Sequence, residues 1–208
     1  MIISDWISNN YIELFGAVTG ILYVILEIRQ NIWLWPVGII TSAVYIWIFF
    51  TGKLYADMSL QGYYLVISIL GWFWWINGDR RPAPDSYRDG DRQSKEKLKV
   101  TRLQLVTGII LTLAFLLLFF LMWLVLDRLT DSPVPAWDSF ITSLSVIATW
   151  MLARKIYEHW FLWIVINIAA AALFFTRDLY PTVLLYIVYC VMSFVGLREW
   201  KKSLNVNK

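Results

Sequence analysis

One cysteine, Cys190, and one histidine, His159, are all that 208 residues hold of the side chains most used for redox and transition-metal chemistry. A lone thiol forms no intrachain disulfide, and with a single histidine no Cys/His metal set is available. Charge is scarce as well, at 16% of residues. A soluble domain of this length needs far more polar surface to cover its core. Three further absences narrow the function. No Gly-rich phosphate loop is present, so nothing points to ATP hydrolysis. No nucleophile–base pair lies at depth in an apolar run, which argues against a membrane-embedded enzyme. No Asp, Glu, Lys or Arg falls at the middle of any apolar run, so the proton relays and ion sites that such charges mark are not expected. The reading is a non-enzyme with neither cofactor nor metal.

Apolar residues dominate instead, at 59% of the chain, with a mean hydropathy of +0.60. A spanning helix needs about 20 predominantly apolar residues. Seven stretches approach that length: Tyr11–Ile28, Trp33–Phe50, Tyr55–Ile76, Leu103–Leu126, Trp137–Ala153, Trp160–Phe175 and Tyr180–Leu197. The expected fold is an all-α integral membrane protein with seven transmembrane helices. The first stretch has no small-residue cleavage site after it and belongs to a repeat, so it reads as a helix and not a signal peptide.

That repeat is the strongest internal signal. Shifted by 125 residues, Glu13–Trp75 lies on Asp138–Trp200 without a gap, and about 15 of roughly 63 positions are identical. Phe49-Phe50-Thr51 meets Phe174-Phe175-Thr176, Trp35 meets Trp160, Arg29 meets Arg154, and Tyr64, Ser68, Gly71 and Trp75 meet Tyr189, Ser193, Gly196 and Trp200. Two three-helix units joined directly would be inverted. The fourth helix between them turns the chain back, so a 3+1+3 arrangement of parallel units is expected. Residues 1–76 form the first unit, 77–102 a cytoplasmic linker, 103–137 the linker helix with an outer loop, and 138–208 the second unit with the C-terminal tail. Charge supplies the orientation. One side carries 15 of the 18 Lys and Arg, and the other only Lys53, Arg128 and Arg177. The positive-inside rule makes the rich side cytoplasmic, with the N-terminus outside and the C-terminus inside. The linker is hydrophilic, with part of it expected to be helical from Asp91 onward. It lacks aromatics for stacking bases, so no nucleic-acid partner is expected.

Uncharged polar residues recur within the spans. Gln61, Tyr64 and Ser68 share one face of the third helix, and their repeat mates Tyr186, Tyr189 and Ser193 share a face of the seventh. Asn167 and Trp163 lie four apart on the sixth helix. The mate of Asn167 is Ser42, beside Thr41. Thr142, Ser145 and Thr149 follow one face of the fifth helix. Small hydroxyls often serve only to glue membrane helices together. An amide is different: Gln61 and Asn167 each have four hydrogen-bonding positions to satisfy, and leaving them bare in apolar surroundings is costly. Buried amides suit a ligand bearing amides or hydroxyls. Among the 13 tryptophans, Trp6, Trp33, Trp137 and Trp200 read as interfacial belt residues, and Trp35 and Trp160 as belt or packing residues. Trp163 is one turn deeper, and one of Trp72, Trp74 and Trp75 could line a pathway. His159, at a helix end, reads as interfacial.

Several segments resemble the PnuC family of bacterial vitamin transporters. They are NIWLWPVGI at Asn31–Ile39, LYADMSLQGYY at Leu54–Tyr64 and GWFWW at Gly71–Trp75, with HWFLWIVIN at His159–Asn167, RDLYPTVLLY at Arg177–Tyr186 and GLREW at Gly196–Trp200 in the second unit. The resemblance covers nearly the whole chain apart from the linker. It implies a fold similar to the SWEET sugar transporters, a homotrimer in the bacterial inner membrane, and facilitated diffusion of nicotinamide riboside followed by trapping through a cytoplasmic riboside kinase. Relatives proposed for thiamine, riboflavin and deoxynucleosides keep those solutes open, along with sugars, and a non-transport structural subunit is the other class. Asn167 departs from the family pattern, in which an acidic residue is common at that position. Candidate substrate-binding residues are Ser42, Gln61, Tyr64, Ser68, Trp163, Asn167, Tyr186 and Tyr189.

Overall fold

The computed structural model describes residues 11–52, 55–78 and 98–206. Trp6, Lys53, Leu54 and most of the linker, including the helix expected from Asp91, lie outside them. Among the described residues the chain forms seven helices: α1 Tyr11–Ile28, α2 Leu34–Thr51, α3 Tyr55–Asn77, α4 Leu105–Leu129, α5 Pro135–Ala153, α6 His159–Phe175 and α7 Tyr180–Val206. Four contain segments long and apolar enough to cross a membrane: Leu34–Thr51, Leu105–Leu129, Pro135–Ala153 and Tyr180–Asn205. Leu14–Ile28 and His159–Phe175 are apolar but shorter. Helix α7 runs nine residues past the expected Leu197, because Arg198–Val206 is rich in good helix formers. Its extension is tied down where Gln30 Nε2 donates to Ser203 Oγ at 2.8 Å.

Six helices close a ring. α1 packs on α2, α2 on α3, α3 on α5, α5 on α6, α6 on α7, and α7 returns to α1. Helix α4 stands outside it against α5, with no buried residue of its own. Leu105, Leu113, Leu117 and Phe120 are exposed, and Leu111, Ala114, Phe115 and Leu118 pack inward, so α4 is apolar on both its outer and its packed side, as expected for a helix facing lipid. Three of these packings map onto the other three at the 125-residue shift, and the turns repeat as well. After α1, Gln30 adopts φ 50°, its N–H donates to Glu27 O at 3.0 Å, and Asn31 N–H donates to Leu26 O at 2.8 Å. After α5, Lys155 adopts φ 52°, donates to Leu152 O at 2.9 Å, and Ile156 donates to Met151 O at 2.9 Å. Both are left-handed helix stops built on the paired backbone bonds of a Schellman motif.

The largest apolar cluster gathers where these two turns meet the ends of α3 and α7. Trp35 and Trp160 are its centre, 0% and 1% exposed. Each lies against a glycine one helix away, Trp35 on Gly71 and Trp160 on Gly196, where a Cβ would overlap the indole ring. Of the two readings left open for these tryptophans, packing is the one observed. Trp75 meets Trp35 edge-on at 5.4 Å, and Trp200 meets Trp160 likewise at 5.9 Å. The indole N–H of Trp75 donates across to Ala153 O at 3.2 Å, and that of Trp200 to Glu27 O at 3.0 Å.

Two expectations need correction here. Trp200 is not an interfacial belt residue: it is fully buried, because α7 packs on α1 and its indole N–H makes a second hydrogen bond to Glu27 O, which already accepts Gln30 N–H in the turn after α1. His159 is not interfacial either: it is 0% exposed, enclosed between Trp160 and Trp200. Trp33 and Trp137 remain exposed. The end of the sequence read as a linker is also part of the packed body. Leu98 and Val100 are buried in the tryptophan cluster, and Thr101 forms a parallel bridge to Ile156. Thr101 N–H donates to Lys155 O at 3.0 Å, Tyr157 N–H to Thr101 O at 2.9 Å, and Leu103 N–H to the Glu158 carboxylate at 2.7 Å.

Candidate functional site

All six ring helices contribute to one cavity of about 430 Å³, a size within the usual range for small-molecule sites. The eight residues singled out in the sequence lie on its wall: Ser42 from α2, Gln61, Tyr64 and Ser68 from α3, Trp163 and Asn167 from α6, and Tyr186 and Tyr189 from α7. They converge because residues three, four and seven apart share a helix face, and α3 and α7 both turn that face inward. Ser145 and Thr149 of α5 also line the cavity, whereas Thr142 does not. The lining is paired at the repeat shift: Gly20 with Ser145, Val24 with Thr149, Gly38 with Trp163, Thr41 with Ile166, Ser42 with Asn167, Gln61 with Tyr186, Tyr64 with Tyr189, and Ser68 with Ser193.

Hydrogen bonds hold part of the wall in place. Asn167 Nδ2 donates to Ser193 Oγ at 3.1 Å, and Ser193 Oγ donates to Tyr189 O at 2.8 Å. Ser145 and Thr149 satisfy themselves on carbonyls four residues back, each at 2.8 Å, which is the helix-bound role open to any membrane serine or threonine. Tyr186 stacks on Phe174 at 5.4 Å and meets Tyr189 edge-on at 6.0 Å. Gly16 and Gly20 make room on α1 for the hydroxyls of Tyr45 and Tyr189, which a Cβ at either position would strike. The indole nitrogens of Trp160 and Trp163, both cavity residues, are buried without a hydrogen-bond partner among the described residues. Trp72, Trp74 and Trp75 do not line the cavity. Trp75 is buried, and Trp74 and Trp75 instead carry Arg154 and Lys155 over their rings at 5.0 and 4.2 Å.

The sequence reading missed the contribution of α1: Thr19, Tyr23 and Glu27 all reach the cavity. Glu27 is 2% exposed, and its Oε1 lies 3.0 Å from His159 Nε2. A signal for this pair existed in the repeat, where the mates of Glu27 and His159 are Leu152 and Leu34. Among the described residues no group of three or more His, Cys, Asp or Glu is placed to hold a metal ion.

A wall of aromatic faces, two amides and several hydroxyls suits a flat, polar solute of modest size. The sequence model of the nicotinamide mononucleotide transporter family matches residues 10–202. The chain belongs to that family. It is 26% identical to the nicotinamide riboside transporter PnuC of Escherichia coli over 218 residues, covering 93% of this chain and 86% of that protein. It is 24% identical to the riboflavin/roseoflavin transporter RibM of Streptomyces davaonensis, covering 94% and 92%. The crystal structure of the vitamin B3 transporter PnuC superposes with a TM-score of 0.72 at 22% identity, over 100% of this chain and 87% of that one, which shows a shared fold. Membership in this transporter family, with the apolar helices, makes the chain a multi-pass membrane protein.

Proposed function

We propose that this family member carries nicotinamide riboside across the bacterial inner membrane by facilitated diffusion, with phosphorylation in the cytoplasm trapping the product. The observation that carries the reading is the cavity between the two repeats, whose aromatic, amide and hydroxyl lining matches a pyridinium ring, a carboxamide and a ribose. Kinship to the PnuC proteins supports the same solute. In this reading Trp163 stacks on the ring, and Gln61 and Asn167 hydrogen-bond the polar groups. Tyr186 is the next contact, with Ser42, Tyr64, Ser68 and Tyr189 completing the shell. The two units are parallel, related by an axis along the membrane normal through the cavity, as in other transporters built from such repeats. The N-terminus is outside, the C-terminus is cytoplasmic, and the protein assembles as a homotrimer. It moves solute and catalyses no reaction. Riboflavin is the second reading, supported by the likeness to RibM over nearly its full length.

Calorimetric titration of the purified protein with nicotinamide riboside and with riboflavin tests the choice. Nicotinamide riboside binds, and Gln61→Ala, Asn167→Ala and Trp163→Ala each weaken it about tenfold or more, since losing a buried hydrogen bond also strands its partner. If all three variants bind like the parent, the polar stripes are helix glue and the site lies elsewhere. Tighter binding of riboflavin would replace the substrate.

A further inference from the structure

The described residues that line the cavity include one carboxylate and no basic group, and that carboxylate is Glu27. Its surroundings are specific. His159 Nδ1 lies 2.6 Å from Ile156 O, so that nitrogen carries a proton and donates it. The other ring nitrogen faces the Glu27 carboxylate at 3.0 Å. The imidazole is held between the rings of Trp160 at 4.7 Å and Trp200 at 4.6 Å. His159 is fully buried and does not line the cavity, whereas Glu27 does. The carboxyl group of the pair is therefore on the cavity wall, and the imidazole that positions it is set back in protein.

The other half of the molecule has no such pair. At the matching place in the other half the two positions are Leu34 and Leu152, both 0% exposed. Well-packed leucines thus serve where a buried ion pair, whose desolvation offsets much of its own attraction, could otherwise stand. Resting on the transport reading above, we propose that Glu27, held by His159, is the charge selector of the cavity: it favours a solute with a positively charged ring over a neutral one of the same shape.

Nicotinamide riboside and its neutral 1,4-dihydro form differ mainly in that charge, so the ratio of their affinities reads the effect. Two variants are measured by calorimetry on purified full-length protein, with melting temperature as the check on folding. Glu27→Gln keeps a side chain able to bond His159 and removes the charge. The double variant Glu27→Leu with His159→Leu copies the other half of the molecule. The parent prefers the cation, and in both variants the preference falls by about tenfold, the scale of one carboxylate charge felt across several ångströms. An unchanged ratio in folded variants overturns the proposal. Loss of folding in both variants also overturns it, since the pair is then structural. If the parent binds riboflavin and neither pyridine nucleoside, the transport reading fails first and this inference goes with it. Normal binding of nicotinamide riboside with an unchanged ratio sinks the charge selector alone.

Discussion

Replacing Gly71 by alanine adds one methyl group where the fold has no space for it. A Cβ at Gly71 falls inside 3.0 Å of three carbons of the Trp35 ring. Trp35 is 0% exposed, and its contact atoms belong to a rigid ring, so no flexible tip can swing away. Forcing an extra methyl into such packing costs about 1–3 kcal/mol. The disturbance passes to Trp75, which meets Trp35 edge-on and bonds Ala153 O across the boundary between the units. Weakening that bond adds about 1 kcal/mol. Against this, alanine in a helix gains up to about 1 kcal/mol over glycine. The clash wins, and the net loss is about 1–3 kcal/mol. Gly62 on the same helix is the control, because nothing lies within 4 Å of its built Cβ. Gly62→Ala makes the identical chemical change without the clash and leaves stability equal or slightly higher. Melting curves of purified protein, followed by size-exclusion chromatography, compare the two. About 2–4 °C per kcal/mol is the expected scale for a chain of this length. A Gly71→Ala protein that melts with or above Gly62→Ala refutes the reasoning. The cost must also shrink in a Trp35→Leu background, where the ring that collides is gone.

Three further outcomes are expected. Trp200→Phe removes the N–H that bonds Glu27 O and costs about 0.5–1.5 kcal/mol of stability for the bond alone, read as a lower melting temperature; an unchanged melt contradicts the buried role. Ser193→Ala strips Asn167 of its acceptor and weakens nicotinamide riboside about three- to tenfold by calorimetry, whereas equal affinity means that Asn167 is positioned by other contacts. Liposomes containing the protein equilibrate the solute in either direction and do not accumulate it under a pH or sodium gradient alone; concentrative uptake would end the facilitated-diffusion reading.

The seven helices were legible because each is a long apolar run, and their ends moved by only a few residues except at α7. The inward face of α3 was legible because Gln61, Tyr64 and Ser68 keep helical spacing inside an apolar helix, where polar groups seek the bundle interior. The fates of Trp200 and His159 were not legible. Both sit at the ends of apolar runs, where a tryptophan or histidine meets water in an isolated span, and the packing of α7 on α1 encloses them. Glu27 was hidden in the same way: as the penultimate residue of α1 it reads as a surface acid until the neighbouring unit covers it. Leu98 and Val100 follow a hydrophilic run, and two apolar residues in an irregular segment carry no periodicity that would announce burial.

The bridge between Thr101 and Ile156 has a consequence for how the polypeptide could be divided. With Leu98–Leu103 fastened to the second unit, the covalent path through residues 79–97 is a tether between bodies already joined twice, at α1–α7 and at α3–α5. A chain opened within that tether has both seams intact. The two fragments, made separately, carry matching halves of each seam and should reassemble in the bilayer without a peptide bond between them.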